Sequence, residues 1–344
     1  MNRFVLSSSL ALALGATAVS ADPYNTGLSA LAIGDADNSR NLEGFLWYPT
    51  PSNEGADIHH TNPVWQGITA SQNAPFADGA FPLVVLSHGM YGNAMNQTWL
   101  ANALAQRGYI VAAISHPGTS TWSRDPADTQ QLWERPKDIS RVIDHALSNA
   151  DLQAHIDPDR IFMGGHSLGG FTAVALAGGR YDAAGLEAFC AAQAERELVC
   201  GIFDDWNIAK TDADRVQMEA DLSDPRIKAF GVFDLGGTQS FSSESLGAIR
   251  TPMMVYGAPN DVSGLNLDIE SRALMAALPA GTATYLEPAG LSHFDFLSQC
   301  KPAAMAILQE EEPGDEIICQ EGGAQRQADH QMIVETLTAF WEGL

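Results

Sequence analysis

An α/β architecture, with a mostly parallel central sheet and helices on both faces, is predicted by three observations. Apolar runs of strand length alternate with helical patterns through most of the chain. No linker rich in Pro, Gly or Ser splits it, and no internal repeat appears. One apolar strand runs straight through a glycine-flanked serine into a small-residue helix, in the stretch IFMGGHSLGGFTAVALAGG. With 344 residues, 45% of them hydrophobic, the chain can bury the core of a single large domain.

The elements follow in order. Met1-Asn2-Arg3 is a short basic start, Phe4 to Val19 is apolar and small, and Val19-Ser20-Ala21 is a small-residue exit. This is the pattern of a secretory signal peptide over residues 1–21, so an exported, periplasmic or secreted protein is expected, with 22–344 as its folded domain. Strands are expected at Leu28 to Ile33, Gly44 to Tyr48, Leu83 to Ser87, Tyr109 to Ser115, Arg160 to Gly164, Lys228 to Phe233, Pro252 to Gly257 and Thr282 to Glu287. Helical patterns lie at Gln97 to Arg107, Pro136 to Ser148, Phe171 to Ala177, Ile269 to Leu278 and Gln327 to Trp341. From about 180 to 225 the alternation stops. An insertion at that point overhangs the carboxyl edge of the sheet, so it reads as a cap or lid.

Gly165-His166-Ser167-Leu168-Gly169, set between strand and helix, has the form of a nucleophile elbow. A side chain at 165 or 169 would collide with the neighbouring strand or helix as the backbone reverses. A serine at its free pKa is a weak nucleophile, so it needs a base and an acid to orient that base, in the chain order Ser, Asp or Glu, His. Only His293 and His330 follow Ser167. His293 stands in the loop after the last strand and is the expected base, whereas His330 lies among polar neighbours in the terminal helical pattern and reads as a surface residue. For the acid, Asp261 follows the strand ending at Gly257 and is favoured; Asp234, at the end of the preceding strand, is the alternative. The amides of Met90, in SHGMYGN, and of Leu168 are the expected oxyanion donors. His166, Trp122 and Trp206 are expected to line the substrate pocket.

The formal net charge of −24 argues against nucleic-acid or anionic-membrane partners, and no membrane insertion is expected once the signal is removed. Four cysteines in an exported chain favour disulfides, and sequence proximity suggests Cys190 with Cys200 and Cys300 with Cys319, although three connectivities are open. No dinucleotide or phosphate-loop motif appears, so no cofactor is called for, and no metal site is expected.

PLVVLSHGMYGNAMNQTWLANALAQRGYIVAAISHPGT, RPKDISRVIDHAL, IDPDRIFMGGHSLGG and GLSHFDFLSQC together resemble the bacterial predicted dienelactone hydrolases, relatives of the platelet-activating factor acetylhydrolases. The resemblance spans about Leu46 to Cys319. It implies the α/β-hydrolase fold, a triad of Ser167, Asp261 and His293, and amides of Met90 and Leu168 at the oxyanion. Dienelactone hydrolases by activity use a cysteine where this chain has Ser167, and the acetylhydrolases take their acid from the earlier strand, which keeps Asp234 open. The expectation is a serine carboxylic-ester hydrolase for small-molecule esters of short acyl chain or small alcohol. An amidase or peptidase, a lipase or polyesterase, and a silent binding protein on the same scaffold are the alternatives.

Overall fold

In the computed structural model, residues 24–344 are described except 37–38, 194–196, 261 and 321–322. The signal-peptide expectation therefore falls outside the described residues, as does Asp261. The strands are β1 (Asn25–Ile33), β2 (Leu42–Thr50), β3 (Ala56–His59), β4 (Ile68–Gln72), β5 (Phe81–Ser87), β6 (Ile110–Ser115), β7 (Ile156–His166), β8 (Ile227–Phe233), β9 (Met253–Tyr256) and β10 (Ala283–Leu286). They form one sheet in the order β10-β9-β8-β7-β5-β6-β2-β1-β4-β3. From β6 to β10 every pairing is parallel, while β2 joins β6 and β1 joins β2 antiparallel. All eight expected strands are present. The sequence reading missed β3 and β4, a short antiparallel pair whose β3 is almost wholly exposed and so carries no apolar alternation.

Burial on both faces explains the continuous apolar runs of β5 to β9. Leu83, Val85, Ile161 and Met163 pack into one core layer, whereas their neighbours Val84, Leu86 and Phe162 pack into the other. That alternation is the strand's period of two. Helices Glu134–Ser148 and Leu168–Leu176 cover the first face through Ile139, Val142, Phe171 and Val174. Helices Thr98–Ala105 and Gly323–Glu342 cover the second through Leu100, Leu104, Ile333 and Leu337.

This order positions the site. β5 lies between β6 and β7, so the chain leaving β5 crosses to one side and the chain leaving β7 to the other. The crevice opened at such a switch point is where open parallel sheets bind ligands. Both SHGMYGN after β5 and the elbow after β7 emerge there. Between the elbow helix and β8, the stretch expected to form an insertion holds the helices Ala183–Ala192, Leu198–Asp205 and Asp212–Met218. No helix among the described residues is long and apolar enough to cross a membrane.

Candidate active site

Ser167 sits between β7 and the helix Leu168–Leu176 with φ 55° and ψ −117°. A side-chain-bearing residue is rare in that region, and the surrounding structure has to hold it there. A Cβ on Gly165 would stand 2.0 Å from the Gly169 carbonyl oxygen, and one on Gly169 would stand 2.0 Å from that of Ser87. Both glycines are therefore obligatory for so sharp a turn. The Ser167 amide donates to the Phe233 carbonyl at 2.9 Å, tying the elbow to β8, and the Ser167 carbonyl accepts from Gly170 at 2.8 Å. Leu168, whose amide is the first of the helix, presents it at the positive end of the helix dipole.

His293 opens a 3-10 turn, His293–Phe296, after β10. Its Nδ1 lies 2.7 Å from Asp234 Oδ2. With a carboxylate as acceptor, Nδ1 carries the proton and Nε2 is left as the basic nitrogen. Asp234 follows β8 with φ 42°, and its Oδ1 accepts from the Ala258 amide at 3.0 Å. Its own amide donates to the Tyr256 carbonyl at 2.8 Å. The partner of His293 is thus the residue that sequence reasoning ranked second, behind Asp261. The positive φ of Asp234 turns its carboxylate back toward the β10 loop, a feature that sequence does not display.

Several groups fix the His293 loop. The Ser292 amide donates to Asp295 Oδ2 at 2.8 Å, and buried Arg326 donates from Nε to Asp295 Oδ1 at 3.0 Å. Arg326 also reaches the carbonyls of Ser298 at 3.1 Å and Ile318 at 2.7 Å. Cys300 is bonded to Cys319, so Arg326 and the disulfide brace the same segment. His330, expected on the surface, is buried: its Nε2 faces the carbonyls of Asp295 and Leu297 at 2.8 and 3.0 Å, and its ring stacks on Trp99 at 3.6 Å. Burial pushes its pKa down to about 3. His166 lines the cavity, but its Nε2 donates to the His293 carbonyl at 2.8 Å. Burial first, and His293 beside it second, hold the His166 imidazole neutral.

Beneath the SHGMYGN loop lies a buried polar network. His88 Nε2 accepts from the His116 amide at 3.0 Å, so the proton is on Nδ1, which donates to the Gly89 carbonyl at 2.7 Å. That carbonyl belongs to the same peptide as the Met90 N–H, so the bond sets the direction in which the Met90 amide points. His116 bridges Ser87 Oγ and Asp138 Oδ2, each at 2.9 Å. This Ser-His-Asp array is wholly buried, which denies Ser87 any substrate. Asp138 is paired with Arg40, and buried Arg135 donates to Ser87 Oγ, Thr119 Oγ1, Thr172 Oγ1 and the His88 carbonyl. Desolvation pushes the Arg135 pKa down to about 9, and drives His88 and His116 well below their ordinary value.

Residues 82–180 match a family model described as the alpha/beta hydrolase fold. The fold is that of the α/β hydrolases. A ferulic acid esterase from Streptomyces cinnamoneus is similar in structure, at a TM-score of 0.60 and 22% sequence identity, over 96% of this chain and 92% of that chain.

On this α/β-hydrolase scaffold, Ser167, Leu168, Met90 and His293 line one cavity of about 800 Å³. The insertion contributes Leu198, Val199, Ile202, Phe203 and Trp206 to its wall, and Trp122 lines it from the β6 side. Met90, Trp122 and Leu198 are large apolar side chains left 42%, 68% and 38% exposed, so the cavity has an apolar rim. Cys190 is bonded to Cys200, joining helices Ala183–Ala192 and Leu198–Asp205. Sequence reasoning passed over Tyr91 and Arg326; the first lines the cavity beside Met90, and the second supports the His293 loop from 33 residues away along the chain, too far for any local pattern.

Proposed function

We propose that this chain is an exported serine carboxylic-ester hydrolase working through an acyl-enzyme. The observation that carries the reading is the 2.7 Å bond from His293 to Asp234, behind a strained Ser167 that opens onto the same cavity as His293. His293 Nε2 takes the Ser167 proton as Oγ attacks the ester carbonyl, and Asp234 stabilises the imidazolium that results. The amides of Met90 and Leu168 receive the developing oxyanion. The tetrahedral intermediate expels the alcohol, which leaves with the proton from His293. Water then attacks the acyl-enzyme, with His293 again as base, and releases the acid and free Ser167.

The likeness to a ferulic acid esterase supports esters over amides as substrates. Leu198–Asp205 and Trp206 line one wall of the cavity, and a wall held there favours short acyl chains or small alcohols, since a methylene that collides with it costs more than its burial returns. Ser167→Ala and His293→Ala are expected to lower turnover of p-nitrophenyl acetate by roughly four to six orders of magnitude with the fold intact, because triad members act as a unit. Near-native turnover in Ser167→Ala would overturn the mechanism.

A further inference from the structure

The helix Leu198–Asp205 and its capping residue Trp206 bridge the cavity between two loops of the site. At one end, Val199 and Phe203 pack on the chain that follows Asp234: a Cβ on Gly236 would lie 3.6 Å from Val199, and one on Gly237 would lie 3.5 Å from Phe203. Phe203 also meets Phe171 of the elbow helix edge-on, with ring centres 6.0 Å apart. At the other end, Trp206 Nε1 donates to the Tyr91 hydroxyl at 3.0 Å, with ring centres 5.6 Å apart.

Tyr91 directly follows Met90 and is itself in the left-handed region, at φ 53°. Its amide donates to the Thr119 carbonyl at 2.9 Å, and its carbonyl accepts from Thr121 Oγ1 at 2.8 Å. The Arg124 guanidinium sits 4.4 Å above its ring centre. Past Trp206 the chain turns through Asn207 and Ala209, at φ 56° and 54°, two more positions that the surroundings must hold. Tyr91 itself is thus in a strained conformation, while Trp206 is ordinary helical backbone at φ −85° and is held by the packing of its helix on the Gly236 and Gly237 loop.

We infer that Tyr91 is a positioning residue of the oxyanion hole, holding the Met90 amide at its working angle because the cap grips the Tyr91 hydroxyl through Trp206. This rests on the serine-hydrolase reading. His88 fixes the Gly89 side of the donor peptide; Tyr91 fixes the chain beyond Met90, and the cap is the reference for that second anchor. The cap then contributes to the rate of the chemical step as well as to the shape of the pocket.

The test compares Tyr91→Phe, Trp206→Phe and the double variant with the native chain, on p-nitrophenyl acetate and on a trifluoromethyl ketone that forms a tetrahedral adduct with serine. Loss of one neutral hydrogen bond corresponds to about a three- to tenfold effect. Each single variant is expected to lower kcat by that factor, to leave KM within about twofold, and to weaken the ketone in proportion to kcat, since these interactions act on the transition state. The double variant is expected to be no worse than either single one, because both remove the same bond. A rise in KM at unchanged kcat, or losses that multiply in the double variant, would overturn the inference and reduce the pair to pocket lining. Should Trp206→Phe loosen the cap and lower the melting midpoint, Tyr91→Phe alone decides between the same two outcomes. Failure of the serine reading is seen separately, as native turnover that survives Ser167→Ala.

Discussion

Asp234 holds the His293 imidazole with one oxygen and the Ala258 amide with the other, so its carboxylate cannot swing without breaking both bonds. Replacing it by Asn offers an amide group whose nitrogen cannot accept the Nδ1 proton, and the wrong tautomer costs roughly 10⁴-fold in kcat where this has been measured in serine proteases. Asp234→Asn is expected to approach that loss on a short p-nitrophenyl ester, while Asp261→Asn retains most activity; the reverse ranking would return the acid to the β9 loop. Gly169→Ala tests the elbow itself. Its new methyl would meet the Ser87 backbone carbonyl oxygen at 2.0 Å, an atom that cannot turn aside as a side chain could, so a sharply lowered yield or melting midpoint is expected. A variant as stable and active as the native chain would show that the turn has room to spare. At this scale the elbow at Ser167 and the placement of His293 on the same cavity were legible in sequence because their motifs are local. The pairing of His293 with Asp234 was not, since Asp234 and Asp261 each follow a strand in sequence and no local pattern says which carboxylate meets the imidazole.

At the scale of elements, His293 is held by a loop that depends on distant partners. Arg326 lies in the last helix and its contacts run to Asp295, Ser298 and Ile318, inside or beside the segment closed by Cys300–Cys319. A disulfide closing a loop of this length contributes roughly 3 kcal/mol in the chain-entropy model. Cys300→Ser with Cys319→Ser is expected to lower both the melting midpoint and kcat, and a change in neither would uncouple the bridge from the base. Glu270 supports the loop that follows Asp234, accepting the amides of Gly237 and Thr238 at 2.9 and 2.8 Å. Burial raises its pKa from 4.5 to about 8. The folded chain therefore holds a proton there that the unfolded chain has already lost between those values, so this group's contribution to stability falls as pH rises through that window. Glu270→Gln removes that dependence, and its melting midpoint relative to native is expected to improve steadily from pH 5 to pH 8; a constant difference would contradict the assignment. The parallel strands were readable because burial on both faces makes them continuous apolar runs. The helices of the insertion were not, because each is short and half-exposed, with a stability that comes from packing on the elbow helix and the loop that follows Asp234 and not from its own pattern.

Across the whole molecule, His60, His88, His116, His166 and His330 are all held below their ordinary pKa, in each case chiefly by burial. The unfolded chain takes up protons at these positions near pH 6.5, whereas the native chain resists until far lower, to about 4 at His60 and about 3 at His330. Stability from these groups is thus complete above pH 6.5 and is lost as pH falls, by up to ~1.4 kcal/mol per pH unit for each. Denaturant titrations from pH 7 to pH 4 are expected to show that steep acid decline; a flat profile would contradict the buried network beneath the Met90 loop. On the proposed reading the helices that line the cavity also set substrate size. Among p-nitrophenyl esters, kcat/KM is expected to peak at short acyl chains and to fall at palmitoyl, and a maximum at the long end would move the reading to a lipase. The most direct measurement of the central claim is covalent capture of the nucleophile. The protein is treated with a fluorophosphonate, assayed for loss of ester hydrolysis, and mapped by peptide mass. A single adduct on Ser167, formed in step with loss of activity and absent in His293→Ala, is the predicted result; full labelling elsewhere, or full activity with Ser167 modified, would contradict it.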